Sequence, residues 1–160
     1  MHQGGARRGQ DGMEDHGVLP DFSGIAVHDC WKPYWKYDGV RHAVCCAHLL
    51  RELTWVEEFG DNPGWATRFK KILLDMKKAK ERTMARDEDE ISQYYSRKFD
   101  AEYDDIIREA EAVCPEPPDP PDRKRGRKKK GKERSLPERI KALKDSICMF
   151  LHNFIVPFDN

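Results

Sequence analysis

The residue of this sequence with the clearest chemical meaning is Asp29, an acid that follows a short apolar run. The run Ile25, Ala26 and Val27 is bounded by Gly24 and His28, which is typical of a short buried strand. Carboxylate oxygens are the ligands that Mg²⁺ and Mn²⁺ prefer, and carboxylates hold the metal ions that catalyse phosphoryl transfer. Asp29 is therefore a candidate metal ligand, whereas a lone Asp in this position is more often a turn residue.

A second group of metal-binding side chains, His42, Cys45, Cys46 and His48, lies within seven residues. Zinc binds such ligands, but structural zinc sites usually take one pair of ligands from each of two segments, and no Cys-x-x-Cys pair occurs elsewhere. Cys45 and His48 are therefore weak zinc candidates. We expect a buried thiol and a histidine bonded to backbone at a helix start.

The elements around these residues read as strand, loop, strand and helix. Residues 23–27 predict the first strand, residues 42–46 the second, and residues 47–59 a helix. The loop between the strands holds Pro33 and the aromatic residues Trp31, Tyr34, Trp35 and Tyr37, which we expect to pack at the strand edge. This order predicts part of an α/β sheet.

Residues 62–113 follow a helical period and predict two antiparallel helices joined near residues 82–90. Their apolar stripes are Trp65, Phe69, Ile72, Leu73 and Met76, and then Ile91, Tyr94, Tyr95, Phe99, Tyr103, Ile106, Ile107 and Ala110.

Prolines between residues 115 and 121 stop the second helix and begin a linker that ends in the basic run 123–134. A further helix is expected to start with Ser135 as N-cap, Pro137 in its first turn and Glu138 completing a capping box, and to end before Pro157.

Charge is strongly segregated although the formal net charge of the 160 residues is zero. Residues 87–111 hold ten acids and three bases, whereas residues 123–134 hold nine Lys or Arg in twelve positions. Such a run can neutralise DNA phosphates, although a solvated linker would have the same composition.

Five cysteines without a regular framework indicate a reducing compartment. No apolar segment is long enough for a signal or membrane anchor, so a soluble, cytoplasmic protein is expected, associated with the nucleoid when it binds DNA.

Three strings, His28-Asp29-x-Trp31-x-Pro33-Tyr34, Cys45-x-Ala47-His48-Leu49-x-Arg51-Glu52-Leu53 and Val156-Pro157-Phe158-Asp159-Asn160, resemble the insertion sequence 66 family of bacterial transposases. The resemblance implies part of a catalytic domain similar to ribonuclease H, with a helical insertion. It divides the chain into a lead-in (1–16), a partial core of two strands and a helix (17–60), the insertion (61–114), a proline-rich and basic linker (115–134) and a C-terminal helix (135–160).

In the family, Asp29 matches the second catalytic Asp, which binds Mg²⁺ or Mn²⁺ during DNA strand cleavage and transfer. The resemblance places the first Asp upstream and the Glu just beyond Asn160, and none of Asp11, Glu14, Asp15 and Asp21 matches the first. We therefore expect a transposase fragment truncated at both ends that does not cut DNA by itself. The alternative is a non-catalytic DNA-binding or interaction remnant of a decayed element.

The resemblance also implies DNA as the partner, with accessory proteins of the same element as further candidates. Candidate DNA-binding residues are Arg51, Arg123, Lys124, Arg125, Arg127, Lys128, Lys129, Lys130, Lys132 and Arg134. Because Phe154, Val156 and Phe158 lead into the expected Glu-bearing helix, we expect them to lack packing partners and to favour self-association.

Overall fold

A computed structural model describes residues 23–30, 32–115 and 131–159 of the protein. Two strands, β1 (Ile25–His28) and β2 (Arg41–Val44), pair in parallel. His28 lies opposite Val44 in the register, and a 3₁₀ helix, Lys32–Lys36, lies in the connection between the strands. Both strands are shifted by one or two residues from the prediction. Because the strands are parallel, their carboxyl ends meet at one edge of the sheet, which brings Asp29 and Cys45 together.

Three long helices follow: α1 (Cys46–Phe59), α2 (Gly64–Met84) and α3 (Gln93–Val113). Helices α2 and α3 are antiparallel, since Asn62 donates a hydrogen bond to the Val113 carbonyl oxygen (3.3 Å) and Arg68 forms an ion pair with Asp105 (3.1 Å). The predicted α/β class, mostly helical, is confirmed at this level.

The core lies where these helices pack against each other and against β2. Phe69 of α2 meets Tyr103 of α3 edge to face, with ring centroids 4.9 Å apart. The Tyr103 hydroxyl donates to the Ile140 carbonyl oxygen (2.8 Å), and burial raises the pKa of Tyr103. The fully buried side chains include Leu49, Leu53, Trp65, Phe69, Ile72, Leu73, Met76 and Ile106.

The prediction that Tyr94 and Tyr95, in the first turn of α3, belong to its apolar stripe is wrong. Tyr94 and Tyr95 are exposed, by 71% and 49%. Tyr95 stacks over the Phe99 ring at 6.2 Å. Because Phe99 is the buried residue of this pair, Tyr95 covers the end of the core and faces solvent.

The C-terminal helix begins earlier than predicted and consists of three pieces, α4 (Lys132–Ala142), α5 (Lys144–Ile147) and α6 (Met149–His152). Gly131 is the N-cap of α4. The Ser135 hydroxyl donates to the Lys132 carbonyl oxygen (3.3 Å), and Glu138 forms an ion pair with Arg134 (2.9 Å). The predicted capping box at Ser135 is therefore wrong, because both of its side chains have partners inside the helix.

The segment after α6 is packed, contrary to the expected lack of partners. Val156 and Phe158 are buried, and Phe158 meets the Phe150 ring at 5.0 Å. Buried Lys80 of α2 donates to the Val156 carbonyl oxygen (2.6 Å), and desolvation lowers the pKa of Lys80. These contacts hold the segment against α2, so the argument for self-association from an uncovered surface at Val156 and Phe158 does not hold.

Candidate functional site

The candidate site is a cavity of about 210 Å³ at the carboxyl edge of the sheet. Asp29, which directly follows β1, lies on its wall, and so do Cys45 and His48 at the start of α1. The remaining lining residues are Val27, His28 and Tyr34. The structure thus brings together the predicted metal ligand and both weak zinc candidates, which come from separate elements.

The end of β1 is held in place by a group of stacked rings. His28 stacks on Tyr34 at 4.6 Å and meets Trp35 edge to face at 5.0 Å. His28 Nδ1 donates to the Asp29 carbonyl oxygen, and burial lowers the pKa of His28 although this hydrogen bond opposes the shift. These contacts fix the backbone on both sides of the Asp29 carboxylate.

A histidine pair extends this packing to β2. His28 Nε2 lies 2.8 Å from His42 Nδ1, and His42 Nε2 donates to the Tyr37 carbonyl oxygen (3.1 Å). Because a carbonyl oxygen only accepts, the two outer ring nitrogens are the donors in these contacts. His42 is therefore engaged within the fold and does not line the cavity.

The start of α1 forms the opposite wall. The Cys45 amide donates to the His28 carbonyl oxygen (2.8 Å), which extends the pairing of the strands past their last residues. The Cys46 amide donates to the Phe158 carbonyl oxygen (2.9 Å). The C-terminal segment that carries Asp159 is thereby attached beside the cavity.

Helix α1 carries two exposed polar side chains next to this wall. His48 lines the cavity, and Arg51 follows it by three residues, on the same side of the helix. The glutamate after Arg51 has a different partner, because Glu52 forms an ion pair with Arg139 of α4. Arg51 is thus exposed near the cavity, whereas Glu52 joins α1 to α4.

The four Cys and His candidates do not converge. Cys46 is fully buried, its thiol lies 3.8 Å from the Val44 carbonyl oxygen, and desolvation raises its pKa. Within residues 23–30, 32–115 and 131–159, no three Cys, His, Asp or Glu side chains are grouped as a metal site would require.

We predict that the fold does not depend on zinc, because only Cys45 and His48 of the four candidates reach one cavity. The unfolding midpoint should be unchanged by a zinc chelator and should fall by no more than a few degrees in His48→Ala. Stoichiometric zinc in the purified protein, absent from both Cys45→Ser and His48→Ala, would contradict this prediction.

The described part of the basic run has structural partners. Arg134 is half-buried, forms an ion pair with Glu138 and donates to the Cys114 carbonyl oxygen (2.8 Å) at the end of α3. Lys132 Nζ lies 4.6 Å from the centre of the Trp55 ring. Both residues connect α4 to neighbouring helices. The other predicted members, residues 123–130, lie outside the described residues, as do Trp31 and the acids between residues 11 and 21.

Two residues at this site, Tyr34 and Trp35, were not among the site residues predicted from the sequence. Tyr34 lines the cavity and stacks on His28, and Trp35 packs against both histidines, with its ring 5.0 Å from that of His42. Their position directly after a proline in a short crossover is the signal that could have placed them at this edge of the sheet.

Comparison with known proteins identifies a family. The sequence model of the family described as Transposase IS66 family matches residues 1–160. No curated protein and no solved structure matches the chain.

Proposed function

The chain belongs to the IS66 family of transposases, and on this premise we propose that it forms part of an enzyme that cleaves and joins DNA strands with Mg²⁺ or Mn²⁺. The observation that carries the proposal is the position of Asp29. Its carboxylate lines a cavity at the carboxyl edge of two parallel strands, opposite the start of α1. In open α/β sheets this edge is where ligands bind.

Asp29 is proposed as one metal ligand of that site. Bound divalent cations would activate the attacking oxygen and stabilise the leaving oxygen of a phosphodiester. The carboxylate suits Mg²⁺ and Mn²⁺, which prefer oxygen ligands. The stacked His28 and Tyr34 rings pack beside Asp29 at the end of β1.

We also propose that the strands and α1 are part of a domain similar to ribonuclease H. The observed order of parallel strand, crossover, parallel strand and helix supports this assignment. Within that domain, His48 and Arg51 would contact the phosphate of the DNA strand that enters the cavity. Accessory proteins of the same element remain proposed partners.

The alternative function is DNA binding without catalysis. It is favoured by one observation: Asp29 is the one carboxylate among the described residues that line this cavity. A single carboxylate cannot hold two cations at the spacing of about 3.5–4 Å that two-metal catalysis needs. Under this alternative, the protein would bind DNA both with Mg²⁺ and with EDTA and would not cut it.

A cleavage assay on the transposase as its element encodes it distinguishes the two functions. The substrate is linear DNA that carries both ends of that element, incubated with Mg²⁺, with Mn²⁺ or with EDTA. We expect cleavage at the ends with either metal and none with EDTA. Binding without cleavage under all three conditions would refute the catalytic proposal and support the alternative.

The basic run should supply DNA affinity that depends on salt and not on sequence. We predict that replacing all Lys and Arg between residues 123 and 130 by Gln weakens binding and flattens the dependence of log K on log salt, by about one unit for each phosphate that is no longer neutralised. Lys132 and Arg134 are left intact because they pack against other helices. An unchanged slope would identify the run as a solvated linker.

A further inference from the structure

The hairpin of α2 and α3 carries a groove that no motif of the sequence marks as functional. The groove encloses about 500 Å³ near the end of α2 and the start of α3. Its charged lining residues are Lys71, Asp75, Lys78, Arg82, Arg86, Lys98 and Glu102. Five cations against two acids give this surface an excess of positive charge inside a chain whose net charge is zero.

Three of these cations have no partner among the described residues. Lys71 is paired with Asp75 (2.6 Å) and Arg86 with Glu88 (3.0 Å). Lys78, Arg82 and Lys98 are exposed and form no ion pair within the described part of the chain. They are therefore available to a ligand with negative charge.

The spacing of these cations favours a ligand with several spaced negative charges over a small single anion. Lys78 and Arg82 are four residues apart on α2, about 6 Å along the helix axis. Two cations at this separation can each neutralise a different phosphate of one strand. Lys98 adds a cation from the opposite wall, so a strand lying in the groove is contacted from both helices.

An aromatic ring borders the same groove. Tyr95 is part of its lining, and about half of its side chain is exposed. It rests on Phe99 at 6.2 Å and meets Tyr94 edge to face at 5.4 Å. Rings held in this way offer a face on which an unpaired base can stack, next to cations that neutralise its phosphate.

Acids lie near both ends of the groove. Arg86 and Ile91 line it, and Asp87 to Glu90 lie between them in the sequence. Asp75 and Glu102 line it beside Lys71. The three cations without an ion pair, Lys78, Arg82 and Lys98, lie between these acids, so phosphates would be held there.

We propose that this groove binds a segment of unpaired DNA strand, with its phosphates on Lys78, Arg82 and Lys98 and a base on Tyr95. The binding site is separate from the Asp29 cavity. It requires DNA as the partner but does not require the protein to be catalytic.

The test measures binding of the full chain to a fluorescent single-stranded oligonucleotide and to its duplex at several salt concentrations. The groove variant combines Lys78→Gln, Arg82→Gln and Lys98→Gln. The matched control combines Lys32→Gln, Arg41→Gln and Arg97→Gln, which removes the same number of exposed cations that form no ion pair within the described residues, from positions outside the groove. A third variant is Tyr95→Leu.

For single-stranded DNA, we expect the groove variant to lower the salt slope by about two units, since three phosphate contacts each contribute about 0.7. The control should lower it by less than one unit. Tyr95→Leu should weaken single-strand binding about tenfold and leave duplex binding unchanged.

Equal effects of the groove variant and the control would overturn the proposal, because they would show a response to net charge alone. Equal weakening of duplex and single-strand binding in Tyr95→Leu would also overturn it. Binding of a poly-glutamate peptide that requires the groove cations, without binding of single-stranded DNA, would overturn it in favour of an acidic protein as the partner. Normal groove binding, together with no cleavage by the transposase as its element encodes it, would refute the catalytic proposal and support this one.

Discussion

Asp29→Asn is expected to lower DNA cleavage and strand transfer by the transposase on the order of 10³-fold, the size of effect seen when a group that stabilises charge in the transition state is removed. The amide keeps the size of the side chain but not the negative charge that a cation needs. Binding of DNA should change little, because Asp29 contributes no attraction to phosphate.

The matched control for this substitution is Asp38→Asn. Asp38 lies in the same connection between β1 and β2 but is exposed and outside the cavity. Its substitution should leave cleavage within about twofold, within the small effect expected of a surface change. Comparable losses of activity in both variants would show that the connection tolerates no change in charge and that Asp29 has no special role.

The largest effect on stability is expected for Phe69→Ala. Phe69 is fully buried between α2 and α3 and meets the Tyr103 ring at 4.9 Å. Truncating a buried phenylalanine costs about 3–5 kcal/mol of stability, because the free energy gained by moving the ring from water into the core is lost and a cavity remains. Since small domains are stable by only about 5–15 kcal/mol, this is a large share of the free energy of unfolding.

Phe59→Ala provides the comparison. The Phe59 side chain at the end of α1 is 66% exposed and its ring lies 5.8 Å from that of Trp55. We expect a decrease of about 0.5 kcal/mol or less in the free energy of unfolding. Urea denaturation followed by circular dichroism measures both variants. Similar decreases for Phe59→Ala and Phe69→Ala would contradict the packing described for α2 and α3.

The features that the sequence predicted correctly are those that depend on local pattern. The position of Asp29 after a strand follows from three apolar residues and their boundaries, and a parallel partner then places Cys45 beside it. The helices α1, α2 and α3 follow from apolar residues that recur every three or four positions. Each of these signals lies within one segment of the chain.

The features that the sequence did not predict depend on contacts between distant segments. Ser135 and Gly131 both suit an N-cap, and Gly131 is the N-cap of α4. With this start, Arg134 reaches the Cys114 carbonyl oxygen at the end of α3. Likewise, Val156 and Phe158 are buried because Lys80 and Phe150 lie against them.

The groove between α2 and α3 could not be identified from spacing alone for the same reason. Lys78 and Arg82 belong to one helix, whereas Lys98 and Tyr95 belong to the next. The excess of acids in residues 87–111 did not suggest a positively charged groove either, because a count of charges does not show which face of α3 carries Lys98. Only the antiparallel packing of the two helices places these four residues around one groove.

The location of the protein in the cytoplasm stays a prediction from its sequence. None of the helices formed by the described residues combines the length and the apolar character needed to cross a bilayer.

The central claim, that Asp29 is a metal ligand, is tested most directly by adding Mn²⁺ to the ¹⁵N-labelled transposase as its element encodes it and recording the paramagnetic broadening of its amide signals. We predict that the strongest broadening falls on Asp29 and its neighbours Cys45 and His48, that it disappears in Asp29→Asn and that it persists in Asp38→Asn. Broadening that is strongest at the acidic residues 87–90, and that is identical in the wild type and in Asp29→Asn, would contradict the claim.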